Sequence, residues 1–319
     1  MIPRRADRII DAVILVLAFV FASLRPTFFG TSYPVLPSIF GIGPILAACW
    51  ALAAVLAGWM LVRNGQLRDY LRALGRNWFL LLFVLLALAS IAWSLFPSLS
   101  FYSAVEVLFA TLVGAYLGFR HSTRNILDAV FWLGAAIVFL CYAYIIVFPA
   151  DGTMPGYPYY GAWRGFFWHR NHMGSILALL QGVYLLRFFL GLRERNNIAL
   201  LDAVFFGLSL ALVVMSRSAT GYILALLLDG LLVAGLVWLR LRKSLKPFHY
   251  YLIGALVFGG AILVLTNLDF VFGLFNRSAS MTGRIPMWEY LLRNVVVERP
   301  WLGHGFGVLW RQEAFQVQV

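Results

Sequence analysis

The chain has 319 residues, of which 62% are hydrophobic and 12% charged, and its formal net charge is +12. A soluble domain carries about 25% charged residues, so half the charge expected of one is missing. That composition excludes an ordinary soluble enzyme. The basic residues sit between apolar blocks, which points to membrane topology and anionic lipid head groups rather than to nucleic acid.

The N-terminus, Met1 to Arg8, is basic and precedes an apolar run from Ile9 to Leu24. No small-x-small cleavage site follows it, so it reads as a retained first helix rather than a signal peptide. Crossing the hydrocarbon core takes about 20 apolar residues in a helix, and about nine blocks approach that length. They fall near 9–24, 42–62, 78–96, 101–119, 126–148, 172–192, 198–215, 221–240 and 250–268. All are expected as helices, because an open sheet leaves its backbone unsatisfied in lipid. The predicted fold is all-α. It is a polytopic transmembrane helix bundle over residues 1–268, with 269–319 beginning a large external loop that carries an amphipathic helix.

Basic residues set the orientation. With the N-terminus inside, one side holds Arg4, Arg5 and Arg8; Arg63, Arg68, Arg72 and Arg76; Arg120 and Arg124; Arg187, Arg193 and Arg195; and Arg240, Arg242, Lys243 and Lys246. Before the final tail the other side holds Arg25, Arg164, Arg170 and Arg217. Sixteen against four predicts a cytoplasmic N-terminus and an external tail. The two cysteines, Cys49 and Cys141, lie in apolar blocks and read as small hydrophobes.

Three segments on the external side carry candidate chemistry. The first is 149–174, PADGTMPGYPYYGAWRGFFWHRNHMG. Its Pro and Gly forbid a continuous helix. Arg164, His169, Arg170, Asn171 and His172 cluster before the sixth span, with Asn171 placed to cap that helix. A helix N-terminus beside arginines suits an anion; a plain interfacial anchor is the alternative. His169 and His172 also stand at a spacing a metal can use, but no Cys or acidic partner joins them, and no metal is expected. The second segment is SRSATG at 216–221, which puts Arg217 at a membrane boundary. There an arginine must pair, face water or snorkel. The third is 277–310. Ile285, Trp288, Leu291, Leu292, Val295 and Val296 follow helical spacing, with Glu289 and Arg293 paired on the polar side and Pro300 as the stop. GHGFG then predicts a flexible turn bearing His304.

These pieces, with WSLFPS at 93–98, carry a resemblance. FFWHRNHMG at 166–174, SRSATG at 216–221 and TGRIPMWEYLLRNVVVERPWLGHGFG at 282–307 follow in order on one side. The chain resembles the O-antigen ligase and O-antigen polymerase superfamily, especially its exopolysaccharide-polymerase-like members. The resemblance implies a glycosyl transferase of the bacterial inner membrane that works at the periplasmic face without metal or cofactor. Its donor would be an undecaprenyl-pyrophosphate-linked glycan, its acceptor a glycan or glycolipid, and its surroundings membrane lipids; nucleic acid is not implied. Arg217 and Arg284 are the expected pyrophosphate ligands, followed by Arg170, with Arg164 and Asn171 nearby. His169 and His304 are the candidate bases within the chain. The superfamily's own pattern implies a His-Asn motif and further spans beyond Val319. A rival reading, a multi-pass transporter, rests on Glu106, Asp128, Asp202 and Asp229 inside apolar runs.

Overall fold

Apolar runs long enough to cross lipid form helices because the helix closes its own backbone hydrogen bonds. A computed structural model describes residues 5–24, 42–156, 159–167, 169–194, 198–241, 248 and 288–308. Its α-helices are α1 (Arg5–Leu24), α2 (Ile42–Arg63), α3 (Leu67–Arg76), α4 (Trp78–Ala89), α5 (Pro97–Arg120), α6 (Thr123–Val147), the single turn α7 (Pro149–Gly152), α8 (Arg170–Glu194), α9 (Ile198–Met215) and α10 (Ala219–Leu241). Helices α1, α2, α4, α5, α6, α8, α9 and α10 lie on the first eight predicted spans, with α4 ending at Ala89, short of the predicted 96. The ninth, 250–268, lies outside the described residues, as does Arg284. By length and apolar composition alone, four described helices can cross a membrane: α5, α6, α8 and α10. The count rises to five if Ala48–Arg63 and Leu67–Arg76, bent by 119° at their break, form one span.

α3 was not expected as a helix. It is short and basic, and Tyr70 pins it by donating from its hydroxyl to the Leu112 carbonyl of α5 at 2.9 Å. Arg72 and Asp69 pair along its exposed side at 3.1 Å.

The chain divides into two units, Met1–Leu226 with His304–Val319, and Leu227–Gly303. In the first, ion pairs knit one end of the bundle. Asp7, near the start of α1, meets Arg63 at the end of α2 (3.5 Å) and Arg120 at the end of α5 (3.8 Å). Arg124, at the start of α6, grips both carboxylate oxygens of Glu194 at the end of α8, at 2.9 and 2.7 Å. Arg187 of α8 pairs with Asp202 of α9 at 2.9 Å and also with Asp128 of α6. These contacts bring alternate helix starts and ends together, as an up-and-down bundle requires. They also place Asp128 and Asp202 in a three-helix ion network.

Among the described residues, α4, α6 and α9 leave this end and reach connections at the other. Ser90–Phe96, 148–169 and Ser216–Ser218 therefore share the opposite end of the first unit.

Among the described residues of the second unit, Trp288–Tyr290 begin a helix that widens into π geometry over Leu291–Val296. Leu291 and Val295 turn inward, with 8% and 3% exposure. Trp288, Leu292 and Val296 are exposed, and Glu289 pairs with Arg293 at 2.7 Å. The described part of the predicted amphipathic segment is thus helical over 288–296, wider in winding than expected, and turns before Pro300.

Candidate functional site

α9 ends where the apolar run meets Ser216 and Arg217. A helix end leaves carbonyls unsatisfied, and each needs a donor. Here every one finds it. The Ser216 amide donates to the Leu212 carbonyl (2.9 Å), the Arg217 amide to Val214 (3.0 Å) and the Ser216 hydroxyl to Val213 (2.6 Å). The Tyr222 hydroxyl donates to Val214 (2.7 Å), and the Trp163 amide reaches across to Met215 (3.0 Å). The Ser216 and Arg217 carbonyls take the guanidinium of Arg170, at 3.3 Å for Ser216.

Arg217 occupies the position just past the helix at φ 50, in the left-handed region. Glycine is the usual residue there, because a Cβ costs roughly 1–2 kcal/mol in that conformation. Arg217 is exposed, and no carboxylate is paired with it among the described residues.

The next residue starts α10. Ser218 is fully buried; its hydroxyl accepts the Gly221 amide at 3.1 Å and donates to Asn171 Oδ1 at 3.0 Å. That bond ties the first turn of α10 to the first turn of α8. The two helices cross at glycines: a Cβ on Gly221 would stand 3.0 Å from the Gly174 Cα, and one on Gly174 would stand 2.9 Å from the Ser218 Cβ. Two helix N-termini, each worth about half a positive charge, therefore meet beside Arg217.

The remaining predicted residues take distinct places. Arg170 is 1% exposed, and its guanidinium lies 3.7 Å from the ring centroid of Tyr159. It braces the Ser216–Arg217 turn. Arg164 donates from Nε to the Asp151 carbonyl at 2.7 Å, which ties it to the loop after α6. Asn171 does not cap α8 as the sequence suggested. His169 does: its Nδ1 accepts the Asn171 amide at 3.1 Å, which leaves the Asn171 side chain for Ser218. Burial, and then the charges of Arg170, Arg164 and His172, hold His169 below its ordinary 6.5, so it is neutral at pH 7.

His304 lies in a second cluster of the same unit. The GHGFG segment was expected to be flexible, yet it docks. The His304 carbonyl accepts the Leu95 amide (3.1 Å) and the Ser94 hydroxyl (3.4 Å), and the Phe306 amide donates to the Ser90 hydroxyl (3.0 Å). Gly305 and Gly307 take φ of 105 and 74, and a Cβ on either would collide with Ser94 or Ser103. Bare backbone slides into a serine-lined groove, and His304 is left 6% exposed. Sequence reasoning missed Ser90, Ser94, Ser103, Ser216, Ser218 and Tyr159. Their signal was weak: small hydroxyls inside or beside apolar runs.

Parts of the four sequence motifs thus join as two pairs, 93–98 with 304–307 and 166–174 with 216–221. Comparison with known proteins agrees with the motifs. Residues 204–318 match a family model described as O-antigen ligase. The resemblance to the O-antigen ligase and polymerase superfamily holds. The chain is also 28% identical over 259 residues to the exopolysaccharide production protein ExoQ of Rhizobium meliloti (strain 1021). That match takes in 76% of this chain and 56% of the relative, so the chain spans little more than half the relative's length. No solved structure matches.

Proposed function

We propose that the protein transfers a glycan from an undecaprenyl-pyrophosphate carrier to an acceptor hydroxyl at the periplasmic face of the bacterial inner membrane, in polysaccharide polymerisation or ligation. One observation carries this reading: Arg217 is held in a left-handed position where glycine is the usual residue, beside two converging helix N-termini. Backbone strain of this kind is retained where the side chain has work to do. A pyrophosphate leaving group carries several negative charges. A guanidinium matches its oxygens in a planar fork and stays charged at any relevant pH. Fixed dipoles and a fixed guanidinium stabilise the developing charge without a metal.

In this reading Arg217 contacts the pyrophosphate, and Arg284 of the same matched segment is a second ligand. Arg170, Asn171 and Ser218 hold the turn. His304 is too enclosed to serve as the base in the docked arrangement. The basic, ion-paired end of the bundle faces the cytoplasm, following the charge asymmetry of the sequence. The relative's role in exopolysaccharide production is consistent with the substrate class.

The test uses the full-length protein in proteoliposomes with a lipid-linked glycan donor. Glycan lengthening and release of undecaprenyl pyrophosphate are both followed. Arg217→Ala should lose one charge-assisted contact, about 1.5–3 kcal/mol, or roughly ten- to a hundredfold in rate. Wild-type turnover in Arg217→Ala would overturn the assignment.

A further inference from the structure

The imidazole of His169 is locked by its own helix. Its Nδ1 accepts the Asn171 amide at 3.1 Å, and an N–H can be received only by a nitrogen lone pair. The ring is otherwise neutral, so its proton resides on Nε2. The residue is half-buried, one position before the buried Arg170 and two before Asn171, which binds Ser218. A base at this point would need a free lone pair, and the only one is committed to the helix. What remains is a neutral N–H donor one residue from Arg170, whose guanidinium braces the Arg217 turn.

We infer that His169 acts as a neutral hydrogen-bond donor to the departing pyrophosphate, through Nε2, and not as a general base. The inference rests on the donor assignment made above for Arg217. In the reaction the acceptor oxygen bonds to the anomeric carbon, and the bond from that carbon to the phosphate oxygen breaks. Its electron pair stays on the pyrophosphate, and the acceptor's hydroxyl proton passes to solvent. His169 keeps its proton throughout and shares it with the phosphate oxygen as negative charge grows there. Neutrality has a purpose: an imidazolium beside Arg170 and Arg164 would add another positive charge to a crowded turn. The neutral form adds a directed donor without that repulsion.

Two substitutions separate the nitrogens. The amide of Gln reaches about as far as Nε2 and can donate there. The side chain of Asn reaches about as far as Nδ1, so it can cap the helix but cannot replace the donor. In the proteoliposome assay, His169→Gln should keep turnover within a few fold of wild type. His169→Asn should fold normally and lose about a hundredfold in kcat, the usual cost of one donor to a developing oxyanion. Full activity in His169→Asn would show that only the cap matters. Loss of all activity in His169→Gln at normal membrane level and melting midpoint would return His169 to the role of base. Either result overturns the inference. The underlying reading is judged separately by the wild type, which must release undecaprenyl pyrophosphate in step with glycan transfer. If it does not, the donor assignment itself fails.

Discussion

Arg170 donates its guanidinium to the main-chain carbonyl of Arg217, so one arginine shapes the backbone from which the other projects. The first is buried and stacked on Tyr159; the second is exposed. Two residues that look alike in the sequence therefore fail in different ways.

Arg170→Lys keeps the charge but removes Nη1, the one atom that donates to both carbonyls, and the plane stacked on Tyr159. Leaving those carbonyls short of a donor should cost about 1–3 kcal/mol. The expected result is a lower melting midpoint in detergent and lower membrane levels. Normal stability with lost turnover would instead move Arg170 into direct substrate contact.

Arg217→Gly should do the reverse. Glycine accepts a φ of 50 without strain, so stability should rise by up to about 1 kcal/mol. Turnover should fall at least tenfold. A gain in melting midpoint joined to a loss of activity would separate the cost of the position from its use. A glycine variant as active as wild type would leave the strained arginine without a function.

Stability should depend on pH through His169. Its folded value lies below 6.5, because burial and nearby positive charge favour the neutral ring. Its contribution is complete above the unfolded value and is lost as pH falls through the folded one. Between about pH 7 and pH 5 the melting midpoint should therefore drop further in wild type than in His169→Asn, which caps without titrating. Parallel curves for the two proteins would contradict this.

Docking of the glycine turn is open to hydrogen exchange. Gly305→Ala forces a methyl against the Ser94 hydroxyl, an overpacking cost of about 1–3 kcal/mol. The Leu95 amide, which bonds the His304 carbonyl, should then exchange faster. Unchanged protection across 93–98 would mean that the turn adapts without leaving its groove.

Orientation can be read with reporters. Fusions at Gly75 and Leu245 should behave as cytoplasmic and a fusion at Gly156 as external. An internal signal at Gly156 would put the Arg217 turn on the wrong side for the proposed donor.

The spans were legible because a run of about 20 apolar residues has few folds open to it in lipid. The turn at 216–221 was legible as a polar island between two such runs. The roles within it were not. A basic residue at a membrane boundary reads the same whether it grips a carbonyl, as Arg170 does, or projects outward, as Arg217 does. Asn171 looked like the cap because Asn is a common cap residue, and only geometry shows that His169 has taken that place. α3 escaped notice because its arginines read as topology signals, and Tyr70, the residue that anchors it, bonds 42 residues away. The docking of His304 was hidden for the same reason.

That docking has a consequence for the order of assembly in the cell. Ser94 and the His304 carbonyl are 210 residues apart in the chain. At a synthesis rate of about 5–20 residues per second, the serine groove stands empty for on the order of 10 to 40 seconds after its helices emerge. Throughout that interval its hydroxyls must be served by water, by a neighbouring segment or by the insertion machinery. Closing the groove must wait for synthesis of the glycine turn: only a chain translated past residue 307 can fill it.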